Sequence, residues 1–208
     1  MYFRLLLIFL LFGSAAASAQ SFHAAVKGGI TATQVSGDNL AGFDQLGGVL
    51  GGVVGIPISG KVDLNLEILF AQKGSRKKAY PDKGDYTEYL LRLNYIEIPL
   101  LLQYKHSKRF ALEAGPAIGV LVSYKEENEL GPFVWSEPRP FDKLELSAAV
   151  GMLYNLTENW SIVSRFETSM LPIRPHLSGQ TYQLNLGQYN TVLMFALQYR
   201  FNNKSKVE

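Results

Sequence analysis

The 208-residue chain contains no cysteine. That absence removes a disulfide framework, thiolate metal ligation, a cysteine nucleophile and lipid attachment to an N-terminal cysteine. Long apolar runs are missing as well. Past the N-terminal leader, no stretch approaches the roughly 20 consecutive apolar residues of a membrane-crossing helix. Charge of one sign is scarce: 20 Lys+Arg stand against 18 Asp+Glu, a formal +2. Such a balance gives no footing for nucleic acid, and the short basic run Arg76, Lys77, Lys78 falls in a Gly- and Asp-rich segment. Histidine occurs only three times. His23 lies near the expected mature N-terminus and His106 in a short turn, while His176 has Ser178 nearby but no third group or nucleophile turn. No catalytic residue, metal ligand set or cofactor motif emerges, so the chain is not expected to be an enzyme. The glycine-rich residues 47–55 lack both the strand-turn-helix context and the lysine of a nucleotide loop. Glycines there are better read as relieving crowding inside a curved sheet.

Apolar residues are nevertheless abundant. They make up 47% of the chain, yet the mean hydropathy is near zero because they are dispersed in short runs. The N-terminus reads as an export signal: Arg4 supplies positive charge, residues 5–12 an apolar core, and Ala17-Ser18-Ala19 a small-x-small cleavage site before Gln20. Residues 1–19 are therefore expected to be removed, leaving one domain over residues 20–208.

Alternation with a period of two dominates that domain. In residues 62–73, Val62, Leu64, Leu66, Ile68 and Phe70 share one face, while Asp63, Asn65, Glu67 and Lys73 share the other. Twelve or so alternating residues suit a tilted strand crossing a bilayer, which needs about 9–11. The pattern returns in residues 94–104, 110–124, 144–156, 160–170 and 191–201, and more weakly in 24–35 and the glycine-rich 46–58. Pro99, which has no amide to donate, is expected at a bulge or an interrupted ladder position. The connections at 59–60, 105–109 and 157–159 are short, whereas 36–45, 74–89, 125–143 and 171–189 are long and polar. Strict alternation of short and long links is what a closed membrane barrel requires, and a β-sandwich does not. Aromatics cluster on the apolar face at both ends of the strands: Tyr104, Phe110, Tyr154, Trp160, Tyr199 and Phe201 near the turns, and Phe70, Tyr124 and Phe166 near the loops. No charged residue interrupts that face in mid-strand, in keeping with the few kcal/mol that a lipid-facing charge costs at the midplane. The expected fold is all-β: an eight-stranded antiparallel transmembrane β-barrel with short periplasmic turns and long external loops, located in the cell outer membrane.

Four segments carry a family likeness. Lys27-Gly-Gly-Ile30, Leu66-Glu-Ile-Leu-Phe-Ala-Gln-Lys-Gly74, Leu93-Asn-Tyr-Ile-Glu-Ile-Pro-Leu-Leu-Leu-Gln-Tyr104 and Ala114-Gly-Pro-Ala-Ile-Gly119 resemble the PorT-like outer-membrane β-barrel family of Bacteroidetes. The most specific part is Tyr95 through Tyr104, since alternation alone does not demand its Glu-Ile-Pro core. The resemblance implies an eight-stranded outer-membrane barrel. One family member is associated with the type IX secretion system, a role that is not carried over here, and the family supplies no catalytic motif.

Two groups of residues are candidates for function. Glu67, Glu97, Glu113, Glu145, Arg165, Glu167 and Arg200 are expected to point into a lumen narrow enough for side chains to fill. They form either an ion-paired plug or a small ion or proton path, whose carboxylate excess would favour cations. In the long connection 125–143, Phe133, Trp135 and Phe141 stand among prolines and acidic residues. They either anchor an external partner or fold over the barrel mouth. The expected role is that of a non-enzymatic barrel, structural or accessory, in the context of protein secretion or envelope integrity. The alternatives are a small porin-like channel and a secreted soluble barrel binding an apolar ligand. The expected partners are outer-membrane lipid, the barrel-assembly machinery acting on the terminal Tyr199-Arg-Phe201, and a secretion-system or envelope protein, with no nucleic acid.

Overall fold

The computed structural model describes residues 22–38, 40, 42–132, 140–175 and 187–201. The expected signal peptide, the loop residues Phe133 and Trp135, and His176 with Ser178 lie outside the described residues.

Eight long strands follow one another in antiparallel sequence: β1 (His23–Ser36), β2 (Gln45–Ser59), β3 (Val62–Lys77), β4 (Tyr89–Lys105), β5 (Phe110–Asn128), β6 (Leu144–Asn155), β7 (Trp160–Ser169) and β8 (Tyr189–Arg200). Each pairs with its chain neighbours, and β1 pairs with β8 from Ala25↔Arg200 to Ser36↔Tyr189, which closes the sheet into a barrel with no free edge. The two-residue strand Gly131–Pro132 only folds back on the end of β5.

The predicted faces are realised. Along β3, Asp63, Asn65, Glu67, Leu69, Ala71, Lys73 and Ser75 are buried inside, while Leu66, Ile68 and Phe70 are exposed outside. Around the barrel an outward apolar belt includes Ile30, Leu50, Ile98, Ile118, Val150 and Leu197. Burying such a surface in lipid removes the penalty that water would impose on it. At the turn end Phe110 pairs with Tyr154, and Trp160 with Tyr199, whose ring centroid lies 4.9 Å away and itself contacts Phe201. This forms the expected girdle.

Three local features depart from simple alternation. The β3–β4 ladder skips the pairs opposite Pro99 and Ile98 without changing register, as a residue lacking an amide proton dictates. A bulge in β5 leaves Val122 extra, because Tyr95 pairs with Leu121 but Asn94 with Ser123. One inserted residue exchanges the two faces. Ser123 therefore lies outward beside Asn94, and Tyr124 contacts Phe141 at 5.2 Å between ring centroids, which removes Tyr124 from the lipid-facing girdle. Finally, β3, β4 and β5 run on past the expected loop-side ends at residues 73, 94 and 124. At 16, 17 and 19 residues they exceed what a bilayer needs, so this sector stands above the membrane as a wall. The extension escaped the sequence pattern because its inward residues, Leu91 and Leu93, are apolar and so break the polar-inside rule.

Candidate functional site

The barrel interior holds most of the predicted site. Inward glycines allow the strands to coil tightly around it: a Cβ at Gly51 would lie 2.0 Å from the carbonyl oxygen of Ile68 on the next strand. The inward residues of β3, followed from the turn end, mark successive layers.

The first layer lies at the turn end. Lys105 Nζ donates to Asp63 Oδ1 at 2.7 Å, and Asn65 Nδ2 donates to Gln103 Oε1 at 2.6 Å. The next is an ion-paired cluster on four strands. Lys27 Nζ donates to Glu67 Oε1 at 2.6 Å, and Arg165 presents Nη1 and Nη2 to both oxygens of Glu67 at 2.9 Å. Arg165 Nε also donates to Glu113 Oε1 at 2.7 Å. Two cations face two carboxylates, and all four side chains are no more than 1% exposed. Bidentate geometry of this kind is the form in which buried charge best offsets its desolvation.

An apolar layer follows, built from Val49, Leu69, Ala71, Leu153, Val163 and Met194. Above it Lys73 gathers three carboxylates: its Nζ donates to Glu167 Oε1 at 2.9 Å and Glu145 Oε1 at 3.1 Å, and it also pairs with Glu97. Asn190 Nδ2 and Ser147 Oγ donate to Glu145, and the Lys73 ammonium lies 5.2 Å from the centre of the Tyr95 ring. One cation against three carboxylates leaves this cluster acidic.

The mouth is closed by a second apolar layer, Val35, Leu91, Leu93, Tyr95, Phe141 and Ile173, and by a latch over it. Arg174 lies between β7 and β8. Its guanidinium donates through Nη1 and Nη2 to Glu126 at 2.9 and 2.8 Å, and through Nε to Gln188 at 2.6 Å, while stacking 4.2 Å from the Phe141 ring centre. Tyr89 OH donates to the same Glu126 carboxylate at 2.6 Å. In the β3–β4 loop, a hydrogen bond from the Thr87 hydroxyl, with Lys77 Nζ 2.9 Å away, holds the Asp85 carboxyl down at about 2. Burial instead raises Asp38 in the β1–β2 loop.

Six of the seven predicted luminal residues thus meet in two clusters: Glu67, Glu113 and Arg165 in one, and Glu97, Glu145 and Glu167 in the other. Arg200 does not join them. It ends β8 at the turn side, half-buried and without an ion pair among the described residues: the two clusters that hold the other six lie higher in the barrel, and Asp63 at the turn end is taken by Lys105. Sequence reasoning omitted Lys27 and Lys73, although alternation puts both on the inner face. It also missed Arg174 and Glu126, whose positions depend on loop closure and on the β5 bulge. Of the three aromatics assigned to the external loop, Phe141 is described, and it is buried under Arg174 in the mouth rather than offered to a partner. Among the described residues, no group of three or more His, Asp or Glu is arranged to hold a metal.

The model of the outer membrane protein beta-barrel domain family matches residues 18–137. Among solved structures, Ail, the attachment invasion locus protein of Yersinia pestis, in complex with the heparin analogue sucrose octasulfate, is 14% identical with a TM-score of 0.51, over 87% of this chain and 99% of that one. Neisserial surface protein A is 12% identical with a TM-score of 0.51, over 86% of this chain and 97% of that one. At such identities the likeness is one of fold. No curated protein matches the chain. With more than half of its length matched and its strands closed into a lipid-faced barrel, the chain belongs to the outer membrane protein beta-barrel domain family and resides in the cell outer membrane.

Proposed function

We propose that the protein is a non-enzymatic, sealed outer-membrane platform with a structural or accessory role, which carries its external wall and loops to a partner in the envelope. The observation behind this reading is the filled interior. Two charged clusters and two apolar layers cross the lumen, with the charged side chains of the clusters 0–6% exposed. An ion entering would have to break pairs whose separation leaves charge stranded at low dielectric, a loss of about 3–5 kcal/mol for each broken pair. This argues against the porin-like channel, and the outward apolar belt argues against the soluble ligand-binding barrel. The tall β3–β5 wall supplies the surface for a partner in protein secretion or envelope integrity. Tyr199 and Phe201 flank the last strand's end, where Phe201 N donates to Ala24 O at 2.9 Å, as a closing strand handled by the barrel-assembly machinery would require.

Planar-bilayer recording of the refolded protein tests the reading. No discrete conductance steps are expected from the wild type, whereas Lys73→Ala combined with Arg165→Ala should introduce leak. Regular steps from the wild type would favour the channel instead.

A further inference from the structure

The outer surface of the β3–β5 wall changes chemistry in a fixed order. Strand register sets its outward residues in rows across the three strands. Phe70, Ile96 and Val120 form the last apolar row, followed by Gln72, Asn94 and Ser123, then Gly74, Arg92 and Lys125, then Arg76, Leu90 and Glu127. The amide row is tied together as a belt: Gln72 Nε2 donates to Asn94 Oδ1 at 3.1 Å, Asn94 Nδ2 to Ser123 Oγ at 2.9 Å, and Gln72 Oε1 accepts the Gly48 amide at 3.2 Å. With its polar atoms satisfied laterally, the belt can sit at the upper edge of the hydrocarbon.

The cations stand directly above it. Arg92 and Lys125 are cross-strand neighbours, and Arg76 lies one row higher, diagonal to Arg92. Arg76 and Arg92 are exposed and make no ion pair among the described residues, while Lys125 reaches Glu127 Oε1 at 2.8 Å with 60% of its own side chain still exposed. Within these two rows three cations stand against one carboxylate, Glu127, a net +2, and Glu88 lines the groove beside Arg76 above them. Gly74 leaves no side chain beside Arg92. The feature is local: on the far side of the barrel the apolar belt ends at Gln34, Thr168 and Thr191, and the next outward residues are Ser36, Tyr189 and Met170, without charge.

A sideways-facing basic patch immediately above the apolar belt meets the headgroups of the surrounding leaflet before anything else. Guanidinium groups there match phosphate in charge and in paired-donor geometry. We propose that Arg76, Arg92 and Lys125 form a lateral site for the phosphate groups of an anionic outer-leaflet lipid, seated above the Gln72–Asn94–Ser123 belt. The acyl chains then lie along Phe70, Ile96 and Val120, which places one ordered lipid against the tall side of the barrel.

Native mass spectrometry of the full protein, extracted from phosphatidylcholine vesicles with or without a bisphosphorylated lipid A, tests this. The wild type should retain lipid A in preference to phosphatidylcholine, and retention should weaken about fivefold for each cation removed in Arg92→Gln and in Arg92→Gln with Lys125→Gln. Arg109→Gln, in a turn at the opposite end, should retain lipid as the wild type does. A heat-dependent gel shift establishes that each variant is folded. Salt should reduce retention by the wild type, which needs no variant to read. Equal retention by the wild type and the double variant, or displacement by inorganic phosphate at matched concentration, overturns the assignment to a lipid.

Discussion

Replacing Arg165 with methionine removes the one group that joins Glu67 to Glu113 across the lumen. Methionine fills comparable space, so the loss is electrostatic rather than a cavity. Glu67 keeps Lys27 at 2.6 Å, but Glu113 is left buried with no direct ion pair among the described residues. Removing one partner of a buried pair costs about 3–5 kcal/mol, and the upper half of that range is expected here because Arg165 serves two carboxylates at once. The stranded charge can then be removed separately. Glu113→Gln in the Arg165→Met background should recover about 1–3 kcal/mol, the desolvation penalty of the orphaned acceptor, whereas the same change in the wild type should be destabilising. The two substitutions therefore couple with opposite signs in a double-mutant cycle. Urea unfolding in lipid vesicles, followed by tryptophan fluorescence as Trp160 leaves the girdle, gives the midpoints. The slope should stay unchanged, since the surface exposed is the same. If Arg165→Met lies within about 1 kcal/mol of the wild type, or Glu113→Gln is equally harmful in both backgrounds, water reaches the cluster and the argument from a dry interior fails.

The acidic cluster makes a contrasting prediction: Lys73→Met should destabilise by about 3–5 kcal/mol, while Glu97→Gln should stay within about 1 kcal/mol of the wild type because it relieves crowding of like charge, as the same unfolding assay would read. Gly51→Val should impair closure, since its side chain would start 2.0 Å from the Ile68 carbonyl; loss of the folded band in unheated gels checks it. In the β3–β4 loop, the lowered carboxyl of Asp85 stabilises its turn above the unfolded value of about 3.9 and loses that contribution as pH falls through about 2. Protection of the Thr87 amide, which donates to Asp85 Oδ1 at 3.1 Å, should follow this window, and Asp85→Asn should abolish the pH dependence.

The barrel was legible in the sequence because its cause is local. A strand with lipid on one side and a packed lumen on the other must alternate residue by residue, and the period of two survives in the order of amino acids. The short turns, the strict alternation of loop lengths and the aromatic rows at Tyr154, Trp160 and Tyr199 are likewise read along the chain. Pro99 announced its interrupted ladder because the missing amide is a property of the residue itself. Inward direction is therefore written in the sequence for Glu67, Glu97, Glu113, Glu145, Arg165 and Glu167.

Pairing among those residues was decided only by closure. Which strands face each other across the lumen depends on the stagger of the whole sheet, so nothing near Lys73 in sequence says that it meets Glu145, 72 positions away, or Glu167, 94 away. The same closure leaves Arg200 below the two ion-paired clusters. The bulge at Val122 reverses the face of every later residue in β5, bringing Glu126 to Arg174 and setting Lys125 beside Arg92, and a single inserted residue of this kind leaves no mark in composition or hydropathy. The sequence by itself determined the architecture and which residues point inward, because alternation is a property of each strand; the tertiary structure alone decided the ion pairs, the latch and the basic patch, because these are contacts between strands whose relative height only the closed barrel defines.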